Sequence, residues 1–340
     1  MIAIHQKDKS FSDNWIKYCN KNDIKYKIVN CYDDDIIKQL ADCDGLLWHW
    51  NQNNSDAANF ARQLIYSLEH KGTKVFPNSK TVWHYDDKLG QKYLLEALAL
   101  PLIPTNVFYN KNTALEWAKK TNYPVVFKLS RGAGSMNVML AHNYGQVQKI
   151  ITKCFGKGWK DQNRIHALKE RVWSFRRDKS LKSFFNIGRG IVRFVLPHPT
   201  HRVPRVEHNY AYFQEFIPNN DCDIRVIVIG QRAFAIKRMV REGDFRASGS
   251  GFIVYDRAEI PIECVRMSFE AAKTLETQSV ALDFVFKDGL PLIVEISYAF
   301  LQSVYLKCPG YWDHELNWHD GSFLPEDFIM EDFFKQLEAT

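Results

Sequence analysis

Over its first hundred residues the chain alternates short apolar, β-branched runs with stretches of helical character. IAI is followed by a polar helical segment through Trp15 and Tyr18, then by YKIVNC, IIKQLA and GLLWHW. A helix over 55–70 precedes KVFPN, whose Pro77 and Asn78 end a strand at a turn ahead of the helix that carries Lys88. Strands separated by helices pair in parallel, because a parallel neighbour needs a crossover long enough to hold a helix. At 340 residues the chain exceeds one average domain, so two or three subdomains sharing a cleft are expected.

The pattern predicts an α/β protein (α+β overall) with a Rossmann-like N-terminal domain. No GxGxxG follows any of its strands, so nicotinamide chemistry has no support. After LPLIPT a helix over 113–121 leads into PVVFKL and the glycine-bearing loop SRGAGSMNV, a second and smaller unit. The C-terminal part is rich in strands: YFQEFI, IRVIVIG, RAFAIKR, FIVYD, SVALDFVF and LPLIVEIS, with hairpin turns at IGQRA and FKDGLP.

Charge is distributed unevenly. The net charge is +6, yet residues 157–207 hold thirteen Lys and Arg against four Asp and Glu, so one segment carries the basicity. Seven scattered cysteines without a CxxC pair argue against a disulfide framework or a zinc site, and read as buried thiols. The opening MIAIHQKDK turns polar after four apolar positions and reads as an edge-to-core strand, not a secretory signal. No run approaches the 18 apolar residues of a membrane span, and a soluble, cytoplasmic protein is expected.

Four features carry candidate chemistry. Lys128 ends the strand VVFK beside Arg131, Gly132, Ala133, Gly134 and Ser135, where a lysine and backbone N–H groups can wrap a polyphosphate; alone, the same residues are equally an ordinary β-turn. Lys88 opens a helix after two aspartates, which is also how a dipole-favoured helix start looks. Asp283 and Glu295 each interrupt an apolar strand and stand symmetrically about Gly289, so they face one another across a hairpin. Two like charges so placed call for a cation such as Mg²⁺, unless they form a solvated pair on an exposed face. Arg238 in IKR and Arg246 in DFRASGSG supply guanidinium groups suited to phosphate or an acyl-phosphate, beside a second Gly/Ser-rich turn.

The succession Lys88, VVFK with its glycine loop, YFQEFIPNNDCDIR, IKR, DFRASGSG, LDFVF and IVEIS resembles the ATP-grasp superfamily over roughly residues 80 to 300. Within it the sequence is similar to glutathione synthetase-like enzymes and ribosomal-protein glutamate ligases. The resemblance implies a Rossmann-like domain over 1–100, a small ATP-grasp subdomain over 101–210 with the glycine loop and a basic insertion (about 157–207), and a large subdomain over 211–340. It implies ATP and Mg²⁺ as cofactors and a ligase that joins a carboxylate to an amine through an acyl-phosphate. Lys88, Lys128, Gly132, Gly134 and Ser135 are then expected at the ATP phosphates, and Glu215, Phe216 and Ile217 at the adenine hinge, with Asp221 at the ribose. Arg238 and Arg246 are expected at the transferring phosphoryl group, and Asp283, Glu295 and Ser297 at the metal. Ser297 departs from the family pattern, which has Asn there, and this puts a two-metal site in question. An ATP-grasp kinase acting on a hydroxyl, or a catalytically reduced nucleotide-binding module at a membrane, are the alternatives.

The stretches FQEFIPNN, DFRASGSG and CPGYW are similar to ATP-grasp proteins of bacterial surface-polysaccharide pathways, which implies a uronic-acid carboxylate amidated by an amino acid. The basic segment, with Trp173, Phe175, Phe184, Phe185 and Phe194 among its charges, reads as a lid or solvated insertion, or as a contact for the anionic inner face of a membrane. Nucleic acid is disfavoured, since no RNA-binding or helix-turn-helix signature accompanies the charge. His314 and His319 in HELNWH have the wrong spacing for a zinc-protease helix, and Tyr311, Trp312 and Trp318 read as core or as a sugar-stacking surface.

Overall fold

A computed structural model of the chain describes residues 1–50, 55–132, 137–160, 188, 206–241 and 244–339. It falls into two compact units: Met1–Ile103 together with Ile217–Thr340, and Pro104–Phe216.

The first unit holds two sheets. In one, β1 (Ile2–His5), β2 (Tyr26–Val29), β3 (Gly45–Leu47) and β4 (Lys74–Phe76) run parallel in the order β2-β1-β3-β4. The opening strand is interior and buried throughout, not edge-to-core, because β2 and β3 flank it on either side. The helix expected over 55–70 is found at Ser55–His70.

The second sheet of this unit is antiparallel. It is built from β11 (Cys222–Ile229), β12 (Arg232–Met239), β14 (Ser279–Lys287), β15 (Leu290–Ser297), β16 (Gly310–Asp313) and β17 (Trp318–Asp320), with the short β13 (Ile253–Val254) on β12. Asp288 and Gly289 both have positive φ, 52° and 79°, as a two-residue hairpin turn matched to strand twist requires. The helix Ile262–Leu275 covers one face, its Cys264, Val265, Ala271 and Leu275 sharing a core with Ile224, Val226, Leu282 and Phe284. A separate core mixes Ile2, Ile4 and Phe11 with Ile227, Phe234, Phe328 and Phe333, joining the first residues to the last. That burial of large aliphatic and aromatic groups, each contributing roughly 1.5–3 kcal/mol, is what makes residues so distant in sequence one unit.

In the second unit β5 (Thr105–Phe108), β6 (Val125–Lys128), β7 (Val138–Ala141) and β10 (Ala211–Glu215) form an antiparallel sheet in the order β5-β10-β6-β7. Helices Lys111–Lys120 and Tyr144–Cys154 close its core through Ala114, Ala118, Val147 and Ile151. The first begins two residues before the expected 113, because the Asn110 side chain accepts from the N–H groups of Asn112 and Thr113. A two-stranded ribbon of β8 (Trp159–Lys160) and β9 (Val206–Glu207) stands apart from the sheet.

All seven cysteines are free and six are buried; burial pushes the Cys19 thiol up to about 11 and that of Cys264 up to about 12. Among the described residues no helix is long and apolar enough to cross a membrane.

Candidate functional site

Strand register assembles the charged residues of the first unit. Glu295 on β15 stands opposite Asp283 on β14, which stands opposite Arg225 on β11. Two residues before Arg225, and so on the same face, Asp223 stands opposite Arg238 on β12. Arg238 donates from Nε and Nη2 to the two carboxylate oxygens of Asp223 at 2.6 and 2.7 Å, and its Nη2 lies 3.0 Å from Asp283 Oδ2. Arg225 Nη1 reaches the same oxygen at 3.4 Å. Lys88 Nζ lies 3.0 Å from Glu295 Oε1. Lys88, Arg238 and Asp223 are only 4%, 7% and 8% exposed.

Lys88 is the first residue of the helix Lys88–Ala97, whose cap is Asp87, accepting from Gly90 N–H at 3.1 Å. A buried ammonium at a helix N-terminus opposes the positive end of the dipole. Glu295 offsets that cost, and Lys88 is therefore an ion-pair partner of a strand carboxylate and not merely a helix start.

The sequence suggests two bare carboxylates in mutual repulsion. Their register is as expected, but each already meets a cation of the chain, so three cations face three carboxylates with no net charge. Hard carboxylate oxygens on facing strand positions suit Mg²⁺, whose remaining positions are commonly filled by water and phosphate. Among the described residues no group of three or more His, Cys, Asp and Glu could hold a metal. Ser297 Oγ donates to Ala299 O at 2.9 Å and accepts from Ala299 N–H at 3.3 Å. The pair fits the ion provided that Arg225, Arg238 and Lys88 share or yield their oxygens.

Arg246 is in the loop between β12 and β13. Its Nε and Nη2 donate to the two oxygens of Asp244 at 2.8 and 2.7 Å, and the Asp244 carboxylate also accepts from Phe245 N–H at 2.8 Å. Burial opposes ionisation of Asp244, but the hydrogen bonds and charge of Arg246 outweigh it and hold the carboxyl below the usual range.

In the second unit Lys128 is 6% exposed and ends β6 between Tyr212 of β10 and Val138 of β7. Gly132 follows with φ 116°, a conformation that favours glycine; Gly134 and Ser135 lie outside the described residues. Glu215 ends β10, and the chain passes from one unit to the other between Phe216 and Ile217, where the hinge is expected. Asp221 is exposed, and its carbonyl accepts from Val240 N–H at 2.8 Å. The basic stretch lies outside the described residues over 161–187 and 189–205.

Asp223 and Arg225 are additions to the expected site. The signal was present, since in CDIRVIVI two charges alternate with apolar residues as Asp283 and Glu295 do in their strands. Tyr311 stacks on His319, which pairs with Asp313, while Trp312 packs on Trp318 and Arg257 lies over the Trp318 ring.

Residues 202–303 match the family described as RimK-like ATP-grasp domain. The structure is similar to a RimK-domain ATP-grasp protein from Sphaerobacter thermophilus, with a TM-score of 0.51 and 14% identity over 89% of this chain and 93% of that one. It is also similar to D-alanine–D-alanine ligase from Bacillus anthracis complexed with ATP, with a TM-score of 0.56 and 13% identity over 99% and 97% of the two chains. A third likeness is to N5-carboxyaminoimidazole ribonucleotide synthetase from Thermotoga maritima, with a TM-score of 0.54 and 13% identity over 90% of this chain and 71% of that one. No curated protein sequence matches the chain.

Proposed function

We infer the function of this chain from the premise that it is an ATP-grasp protein by its fold and by the domain at residues 202–303. It is an ATP-dependent ligase that joins a carboxylate to an amine. The observation that carries this reading is the ladder Glu295–Asp283–Arg225 with Asp223–Arg238 beside it, a set of hard-oxygen donors and guanidinium groups on one sheet face.

In this reading Lys128 and the loop containing Gly132, Gly134 and Ser135 take the ATP phosphates, with Lys88. Glu215, Phe216 and Ile217 take the adenine, and Asp221 the ribose. Asp283 and Glu295, with Ser297, would hold Mg²⁺, which when bound neutralises phosphate charge. Arg238 and Arg246 stabilise the phosphoryl group as the substrate carboxylate attacks the γ-phosphorus and ADP departs. The amine then attacks the acyl carbon and phosphate leaves. Positioning and electrostatics supply the catalysis, and no covalent enzyme nucleophile is required.

The finer reading is a uronic acid of a surface glycan as carboxylate and an amino acid as amine, supported by the likeness of FQEFIPNN, DFRASGSG and CPGYW. With it go a cytoplasmic location, contact with the inner membrane face through residues 157–207, and functional divisions at 1–100, 101–210 and 211–340.

Calorimetry with MgATP tests the nucleotide site. Wild type is expected to bind, and Lys128→Ala to bind about 10–100-fold more weakly, since the loss of a charged hydrogen-bond donor costs about 1.5–3 kcal/mol. Unchanged affinity would remove Lys128 from the site. Release of ADP and phosphate that depends on an added amine supports ligation, whereas ADP release with the phosphate retained on a hydroxyl overturns it.

A further inference from the structure

The ribbon β8–β9 and the start of the glycine loop meet at one carboxylate. Trp159 stands opposite Glu207 and Lys160 opposite Val206, so the ribbon forms a neck at the two ends of the 161–205 stretch. The neck is tied to the helix Tyr144–Cys154: Gly158 N–H donates to Lys153 O at 2.8 Å and Asn209 N–H to Cys154 O at 2.9 Å. Lys153 Nζ lies 3.5 Å over the Trp159 ring, which in turn packs on Phe127, the residue before Lys128.

From this anchored strand Glu207 Oε2 accepts from the backbone N–H of Ser130 at 3.0 Å and from the Tyr210 hydroxyl. The Tyr210 oxygen also lies 2.7 Å from the same N–H. Ser130 sits midway between Lys128 and Gly132. Two acceptors on one N–H exceed what satisfying it requires, and they fix the plane of that peptide. Among the described residues, Arg131, Tyr210 and Cys154 are charged or titratable groups that face Glu207. Burial pushes its carboxyl above the usual range, against the hydrogen bonds from Tyr210 and Ser130. By charge alone an ionised Glu207 would repel a polyphosphate, so its help to such a ligand lies in where it puts the chain.

We propose that Glu207 is a positioning residue for the phosphate loop: held by the neck, its carboxylate fixes the Ser130 peptide and with it the path from Lys128 into Gly132. The proposal rests on the reading of Lys128 and Gly132 as phosphate-binding, and its test separates the two. In the full-length protein without nucleotide, hydrogen exchange is followed in peptides covering 125–132 for wild type, Glu207→Ala and Glu207→Gln. Glu207→Ala is expected to speed exchange at Ser130 about tenfold while β11 and β14 keep wild-type protection, and Glu207→Gln, which retains an acceptor, is expected to stay near wild type. In calorimetry Glu207→Ala should weaken MgATP binding about tenfold and Glu207→Gln far less. Should Glu207→Ala fail to fold, Tyr210→Phe is expected to speed the same amide to a smaller extent.

Unchanged exchange at Ser130 overturns the proposal. So does faster exchange with unchanged or tighter MgATP binding in Glu207→Ala, the sign expected of a carboxylate that acts only by charge. A wild type that binds no MgATP while the exchange result holds overturns the phosphate reading, and the proposal with it, leaving Glu207 as a structural anchor.

Discussion

A carboxylate held between two guanidinium groups behaves differently from one facing another carboxylate. Asp283 Oδ2 lies 3.0 Å from Arg238 and 3.4 Å from Arg225, so Asp283→Asn removes the anion from one buried and one half-buried cation. Breaking a buried pair on one side leaves uncompensated charge and costs about 3–5 kcal/mol. Urea unfolding of Asp283→Asn is therefore expected to show a loss near 3 kcal/mol, Asp223 retaining part of the charge balance at Arg238. A midpoint at or above wild type would instead mean that repulsion between Asp283 and Glu295 dominates the site. Asp283 and Glu295 were legible because a lone charge in an apolar run is conspicuous and a two-residue turn fixes the register of its hairpin. Arg225 was harder to assign: it meets Asp283 across 58 residues, and pairing between strands that distant is set by the whole sheet. Asp223 and Arg238 fall between these cases, facing one another across the β11–β12 turn.

At the scale of elements, boundaries depended on side chains that end or begin them. Asn110 starts its helix two residues ahead of the expected 113, and the apolar run FIVYD yields only the two-residue β13 on β12. The β8–β9 neck was not anticipated, because nothing in WK or VE announces a pair of two-residue strands lying 46 residues apart in the chain. Its geometry shows at Gly158, where φ is +70° and an added Cβ would come 2.6 Å from Val206 Cγ1 and 2.8 Å from Glu207 O. Gly72 is a control with φ +91° and nothing within 4 Å of an added Cβ. Both alanine variants bear the backbone cost of a left-handed conformation, about 1 kcal/mol. Only Gly158→Ala adds a clash with backbone, so its loss of stability in thermal unfolding is expected to exceed that of Gly72→Ala by about 1–3 kcal/mol. Equal losses would show that the neck gives way easily, and would weaken its claim to hold Glu207 in place.

Across the whole molecule, charge separates by segment. Residues 157–207 hold thirteen basic and four acidic residues in a chain whose net charge is +6, so the remainder is mildly acidic. At an anionic surface that segment would supply a favourable term of about 1 kcal/mol for each cation near the headgroups. Trp173, Phe175, Phe184 and Phe185 lie among those charges in the sequence and would add apolar contact. Sedimentation with vesicles containing phosphatidylserine is expected to bring down wild type at low salt and to release it at roughly 0.5 M salt, where the Debye length falls to a few ångströms. Changing Arg176, Arg177, Lys179 and Lys182 to Gln removes four cations, which at about 1 kcal/mol each lowers partitioning by up to about a thousandfold. Binding of wild type and variant alike to neutral vesicles would assign the contact to the aromatics and not to charge. Negligible sedimentation of both proteins at low salt would eliminate the membrane contact, and the basicity of 157–207 would then be left for the anionic ligands of the proposed reaction in solution.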